Sequence, residues 1–332
     1  MIDPPKTLVV LWRVTEHCNL GCAFCAYDRA LTRPRREADA RTVAAFGELL
    51  GTFQHSTGRR VLVSWLGGEP LLWAPLVEVS KQYHLQHGLE LSLTTNGTRL
   101  DRPEIRNLLT RHYSEVTVSV DGFQPVHDAL RGRDGLFDRL ARGVSQLAAE
   151  KRAHGKGPLL RANVVLMRDN ATVLPQLCHE LAAWGIEEIT FNQLGGNDRP
   201  EFFPANRLRP AQAEALANRL PALQAELAAQ GVALRGNSQY LRRISASSRD
   251  IRLTPANCDA GREFLFIDEL GRLAPCSFTP GDYGIALSQI TQATMLETLP
   301  AHFATQRKQR PARSCADCHS TQHFGKFAAA AS

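Results

Sequence analysis

The chain has no apolar run near the roughly 18 residues that a membrane-spanning helix requires, so a helical membrane protein is not expected. Residues 1–6 are short and polar and carry no apolar stretch of the kind that drives secretion. No internal repeat is visible, which sets solenoids and propellers aside. The ten residues after Cys25 contain no histidine, although His17 stands beside Cys18, and no cysteine follows Cys318. Eight cysteines without a secretion signal are expected to serve as metal ligands in a reducing cytoplasm, not as disulfides. Oxygen sensitivity should accompany them.

What is present is ordinary globular composition. The 332 residues are 43% hydrophobic and 22% charged, enough for about two domains. The net charge of +6 is mild. Basic residues are scattered apart from Arg33-Pro34-Arg35-Arg36 and Arg307-Lys308-Gln309-Arg310. Both runs read as solvated faces, and nucleic-acid binding is not expected. The tail 328–332 is low in complexity and expected to be disordered.

The most informative stretch is Cys18-Asn19-Leu20-Gly21-Cys22-Ala23-Phe24-Cys25. Three thiolates at this C-x3-C-x2-C spacing can hold three irons of a [4Fe–4S] cube and leave the fourth iron without a protein ligand. An open metal position is a reactive one. Zinc or a plain redox cluster are the other readings of three close cysteines. The spacing and its surroundings resemble the radical S-adenosylmethionine (radical SAM) superfamily. The resemblance implies that the open iron is chelated by the amino and carboxylate groups of SAM, and that Phe24 lies near the adenine.

Short apolar runs alternate with amphipathic stretches over the first 200 residues. Strands are expected at 8–14, 61–65, 89–94, 116–120, 159–167 and 188–193, and helices at 40–53, 74–87, 103–112, 137–154 and 173–184. Strand–helix units in this order argue for a parallel sheet with right-handed crossovers, and six are too few for a full eight-stranded barrel. The resemblance implies a partial (β/α)6 TIM barrel, an α/β fold, followed by a small C-terminal twitch (half-SPASM) iron–sulfur domain. Gly195-Gly196-Asn197-Asp198 closes the barrel portion. The expected division is a barrel over 1–204, a helical connector over 205–235, a twitch domain over 236–327, and the tail.

In such folds function collects at the carboxyl ends of the strands. Gly67-Gly68-Glu69-Pro70 follows the second strand and matches the family's GGEP motif. The resemblance gives Gly67, Gly68 and Glu69 the ammonium of SAM, a role that a free backbone edge and a carboxylate suit. Thr95, in Thr94-Thr95-Asn96-Gly97-Thr98, matches a TNG sequence after the third strand. Ser119-Val120-Asp121-Gly122 resembles the family's S-x-D-G, so Ser119 and Asp121 are expected at the carboxylate or ribose. His127-Asp128-Ala129-Leu130-Arg131 resembles an H-D-x-x-R segment of the SPASM/twitch subgroup, with Arg131 expected to pair with the SAM carboxylate. Asn163 is expected at the ribose and Leu166 beside the adenine.

Cys258 and Cys276 are separated by seventeen residues, and Cys315-Ala316-Asp317-Cys318 comes later. Four thiolates fully ligate a second [4Fe–4S] cluster; they also suit zinc, and His319 could substitute for one. The pattern C-x17-C…C-x2-C resembles the twitch domain and implies one fully coordinated auxiliary cluster. Cys178 lies on an apolar helical stripe and reads as a buried hydrophobe.

The resemblance implies reductive cleavage of SAM and hydrogen abstraction from a substrate, with electron transfer through the auxiliary cluster and a flavodoxin- or ferredoxin-type donor. The first strand starts near Leu8, leaving little space for a leader-recognition domain before it, so a small natural-product-type substrate is expected. A peptide maturase, a methyl or 3-amino-3-carboxypropyl transferase, and a non-catalytic metal-binding scaffold are the alternatives. Tyr27, Asn192, Gln193 and Tyr240 are candidates to line the cavity, and Glu263 is a candidate base.

Overall fold

The computed structural model describes residues 7–196, 198–255 and 258–326. Asn197 and the tail 328–332 lie outside them. The elements in chain order are β1 (Leu8–Thr15), α1 (Ala40–Thr57), β2 (Val61–Gly67), α2 (Leu76–Leu85), β3 (Glu90–Thr95), α3 (Pro103–His112), β4 (Glu115–Ser119), α4 (Gln124–Arg131), α5 (Leu136–His154), β5 (Leu159–Leu166), α6 (Leu174–Ala183) and β6 (Glu188–Gln193). They continue with α7 (Phe203–Asn206), α8 (Pro210–Ala228), β7 (Ala233–Leu234), α9 (Ser238–Ser248), β8 (Phe264–Ile267), β9 (Arg272–Ala274), α10 (Pro280–Tyr283), β10 (Ile285–Ala286) and α11 (Met295–Gln309).

The six expected strands are present and pair in parallel from β1 to β6. The sheet then continues past them at both edges. Its order is β10-β9-β8-β1-β2-β3-β4-β5-β6-β7. β7 lies in the expected connector yet adds a seventh parallel strand beside β6, and β8 pairs in parallel with the other edge of β1. Two residues of β7 are too few to carry a period, which is why it escapes a reading of hydrophobic alternation. β9 and β10 follow β8 as an antiparallel extension.

Each strand separates two chemistries by its period of two. Val10, Trp12 and Val14 of β1 are fully buried, and Trp12 meets Phe46 of α1 edge-on at 5.6 Å between ring centroids. Trp65 in β2 lies opposite Trp12 in register and packs on Tyr83 of α2 at 5.2 Å. That face is the helix side. The other face is the barrel lumen, and it is polar. At its floor Arg161 of β5 bridges Glu115 of β4 and Glu188 of β6, and Arg235 after β7 reaches the second oxygen of Glu188 at 2.6 Å. No helix among the described residues is long and apolar enough to cross a membrane.

Because Trp12 joins β1, β2 and α1 on the helix side, Trp12→Ala should lower the stability of the fold by about 3–5 kcal/mol, measured as a shift of the urea midpoint at unchanged slope.

Candidate active site

β1 delivers its carboxyl end to the first cysteine loop. The loop folds on itself: the Cys25 amide donates to the Cys22 carbonyl at 3.0 Å, and the Tyr27 amide donates to Cys25 Sγ at 3.3 Å. Leu20 and Leu136 pack with Cys22 as a small apolar cushion, and Cys18, Phe24 and Cys25 lie against it. Burial pushes all three thiols up, Cys22 to about 12, while the Arg131 cation pulls in the opposite direction. A metal replaces those protons, since the thiolate is the ligand form. Three neighbouring thiols beside a cation, Cys22 buried and Cys18 and Cys25 half-buried, suit three corners of an iron–sulfur cluster.

The loop after β2 is threaded against this one. The Gly68 amide donates to Thr15 O at 2.7 Å and the Glu69 amide to His17 O at 2.8 Å. A Cβ on Gly68 would stand 2.3 Å from His17 O, and one on Gly67 2.7 Å from Thr15 O. Only glycine permits this approach one residue before Cys18. Glu69 is fully buried. It accepts from the Thr95 hydroxyl at 2.8 Å and from the backbone amides of Asn96 at 2.7 Å and Leu71 at 3.1 Å. Burial pushes its carboxyl up to about 7, against three donors that favour the ionised form. Glu69 therefore clamps the loops after β2 and β3 together, and Thr95 serves the clamp. Asn96 goes further: its Nδ2 reaches Cys18 Sγ at 3.8 Å and Asn19 Oδ1 at 3.0 Å.

Asp121, just beyond β4, is also fully buried. Its Oδ1 accepts from the Val165 amide at 2.8 Å, and its Oδ2 lies 2.6 Å from Arg131 Nη2. The Arg131 guanidinium stands 5.4 Å from the Phe24 ring, and its carbonyl accepts from the Gly21 amide at 3.3 Å. His127 Nδ1 accepts from the Asp121 amide at 3.1 Å, so this imidazole is neutral, and burial with the nearby Arg131 charge pulls it down to about 3. Ser119 and Asn163 stand in register at the lumen face of β4 and β5.

The second cysteine set surrounds one cavity, which counts about 400 Å³ including its open mouth and is lined by Cys258, Cys276, Cys315 and Cys318. Arg307 of α11 reaches the same cavity, donating to Cys258 O at 2.7 Å and Ala260 O at 3.1 Å. Thr279 Oγ1 lies 3.3 Å from Cys276 Sγ. The C-x2-C pair is held from behind: the Cys318 amide donates to Leu253 O at 2.9 Å, and buried Arg243 pairs with Asp317. Burial pushes the Cys276, Cys315 and Cys318 thiols up, the last to about 11. Four thiolates also suit one tetrahedral zinc. Four thiols ringing a space fit a cluster in which each binds its own iron.

Residues 12–155 match the Radical SAM superfamily. The chain carries a radical SAM domain. Its further resemblance is to the twitch/SPASM subgroup of that superfamily. It is 30% identical to the Fe-coproporphyrin III synthase of Methanosarcina barkeri over 57% of this chain, and spans 44% of that protein's length. It is 26% identical to the mycofactocin maturase MftC of Mycolicibacterium smegmatis over 97% of this chain and 77% of the maturase. Among solved structures, anSMEcpe with bound AdoMet and a Cp18Cys peptide has the same fold, with a TM-score of 0.67, 17% identity, and coverage of 97% of this chain and 88% of that one.

Two expectations beyond the matched residues fail. Leu166 lies on the helix face of β5 with Leu160, Ala162 and Val164, opposite Asn163; the strand's alternation turns it away from the lumen. Glu263 precedes β8, and its carbonyl accepts from the Val9 amide at 2.9 Å. It therefore sits at the amino ends of β8 and β1, remote from the cysteine loop at the carboxyl end. In the two basic runs Arg33, Arg36, Lys308 and Arg310 are exposed as expected, and Arg35 and Arg307 are not. Arg35 donates to Glu16 O at 2.9 Å, Tyr27 O at 3.0 Å and Asp28 O at 2.5 Å, so it braces the cysteine loop, and Arg307 faces the second cavity.

Tyr27, Asn192 and Tyr240 gather at the lumen or its rim, whereas Gln193, in register with Leu166, turns away from it. Tyr27 lies between Arg13 and Arg33, 5.6 and 5.2 Å from their guanidinium carbons. Buried Tyr240 donates to Asn192 Oδ1 at 3.3 Å, and Gln193 contacts His319 at 3.2 Å. Sequence reasoning missed Asn96, which a nominated motif already contained, and Lys326, for which no local pattern gave a signal. Lys326 Nζ enters the lumen and donates to Asn163 Oδ1 at 3.0 Å and Asn192 Oδ1 at 2.7 Å.

Two substitutions test this geometry. Asp121→Asn leaves Arg131 buried without its counter-charge and should destabilise the protein by about 3–5 kcal/mol, read by thermal or urea unfolding. Gly68→Ala forces the His17 backbone aside at a strain of roughly 2 kcal/mol. It should reduce iron bound by the first cysteine set while leaving the second set loaded.

Proposed function

We propose that this radical SAM enzyme oxidises or tailors a small natural-product-type substrate held in the barrel lumen, with one auxiliary [4Fe–4S] cluster for electron transfer. The single observation that supports it most is the meeting of the half-buried Cys18–Cys25 loop, the Gly67–Glu69 loop and the Asp121–Arg131 pair at the carboxyl end of one parallel sheet. When bound, the first cluster and SAM supply reductive carbon–sulfur cleavage and a radical able to remove hydrogen from substrate.

The residues divide the remaining work. Cys18, Cys22 and Cys25 would hold three irons, and Cys258, Cys276, Cys315 and Cys318 all four of the auxiliary cluster. Gly67 and Gly68 would present a backbone edge to the SAM ammonium, Phe24 a face to the adenine, and Ser119 and Asn163 polar groups to the ribose. Asp121 is already engaged by Arg131 and Val165, so its part is to orient Arg131, whose remaining donors would meet the SAM carboxylate. The unit from 236 to 327 would carry the auxiliary cluster, with 205–235 joining it to the barrel. A flavodoxin or ferredoxin in the cytoplasm would supply the electron.

The C-terminal segment favours a small substrate, because the Lys326 side chain occupies part of the lumen. A peptide is the second reading, and it draws on MftC being a maturase and on the peptide bound to anSMEcpe. Methyl or 3-amino-3-carboxypropyl transfer differs in the nucleoside released.

The deciding experiment is anaerobic reconstitution followed by reduction with SAM. The expected nucleoside is 5′-deoxyadenosine; methylthioadenosine would move the reading to 3-amino-3-carboxypropyl transfer, S-adenosylhomocysteine to methyl transfer, and none of the three would leave only a metal-binding scaffold. Changing Cys18, Cys22 and Cys25 together to alanine should abolish nucleoside release and remove about half of the bound iron and sulfide. Cys276→Ala with Cys318→Ala should remove the other half and retain SAM cleavage.

A further inference from the structure

Eight residues beyond the last cysteine of the second set, the chain places a lysine inside the barrel. The path is short and pinned. The Phe324 amide donates to Ser320 O at 3.3 Å and the Lys326 amide to Thr321 O at 2.9 Å, which makes a compact turn. Asn237, at the start of α9, donates to Gly325 O at 2.5 Å and fastens that turn to the barrel wall. Lys326 is then 3% exposed, with Nζ between β5 and β6.

The surroundings are rich in donors. A lysine ammonium only donates, so Asn163 and Asn192 must turn their Oδ1 atoms toward it. Asn163 Oδ1 also accepts from Thr190 at 2.9 Å, and Asn192 Oδ1 from Tyr240. Both carbonyl oxygens are thereby engaged, which leaves each amide its Nδ2 group, a donor only. The carboxylates of the floor, Glu115 and Glu188, are already shared with Arg161 and Arg235. One ammonium and two amide NH2 groups side by side are the complement of a carboxylate.

We propose that Lys326, with Asn163 and Asn192, forms a carboxylate-binding site in the lumen that recognises an acidic substrate. It rests on the lumen being the substrate chamber, as read above. The titration of Lys326 agrees: burial first and Arg161 second pull its ammonium down to about 7, and Glu188 only partly opposes them. Tyr240 faces the same group through Asn192, and Arg235 acts on it through Glu188. A bound anion favours the charged lysine, so it must raise this pKa. Binding is accordingly strongest below the ligand-free midpoint and weakens as pH rises through and beyond it. The carboxylate has two sources, the substrate and SAM itself.

The chain has six lysines, so their side-chain resonances can be followed singly. The full-length protein, reconstituted anaerobically and labelled with 13C at lysine Cε, is titrated with pH alone, with sodium acetate, and with SAM; Lys326→Arg assigns the resonance. Acetate should raise the Lys326 midpoint by about one unit or more, a tenfold preference for the charged form, with the other five lysines unmoved. A rise with SAM, absent with decarboxylated SAM and absent with acetate, assigns the site to SAM and overturns recognition of an acidic substrate. No rise in either arm, or an equal rise in all six lysines, overturns the proposal. Nucleoside release by the same preparation is scored separately: its absence sinks the enzymatic reading whatever the lysine does.

Discussion

The pair between Asp121 and Arg131 is the contact on which the organisation of the cysteine loop depends. Asp121 is sealed from water and Arg131 nearly so. A buried charge without its partner is expensive enough to select another arrangement, so the loop after β4 and the end of α4 are bound to a common position. Arg131 then carries that position to the cysteine loop three ways, through the Phe24 ring, through its carbonyl on Gly21, and through its field on the thiols. Asp121 does the corresponding work on the other side by holding Val165 at the end of β5. One ion pair thus fixes the distance between the cysteine loop and the lumen wall.

Parallel pairing explains why so many motifs meet. With β1 to β6 all running the same way, the segments that follow them open at one end of the sheet. The loops after β1, β2, β3 and β4 are then neighbours, and short polar residues lock them: Glu69 with Thr95 and Asn96, Asn96 with Asn19. The same pairing condemns Glu263, which precedes its strand. The period of two separates Leu166 from Asn163 although they stand three residues apart.

The second cysteine set is continuous with this arrangement because β8 pairs with β1. A single sheet therefore holds both thiol sets. The chain leaving Cys318 brings the Lys326 side chain to the lumen within eight residues. Arg243 on Asp317 and Asn237 on Gly325 are the two fastenings on that path.

The six strand–helix units, the loop of three thiols and the GGEP turn were legible in the chain itself, since each rests on local spacing: alternation for strands, x3 and x2 gaps for thiols, glycines for close approach. So was the burial of Cys178 on its apolar stripe. Tertiary structure alone decided what distant groups do. Arg35 and Arg307 sit in charge runs that look solvated, and folding turns each of them onto a cysteine loop. β7 is too short to announce itself, and Lys326 belongs to no pattern. A sequence reports the period of a segment and the chemistry of a side chain. Which polar groups end up facing each other across a lumen depends on strand register and on the closing of long loops, and neither leaves a local mark.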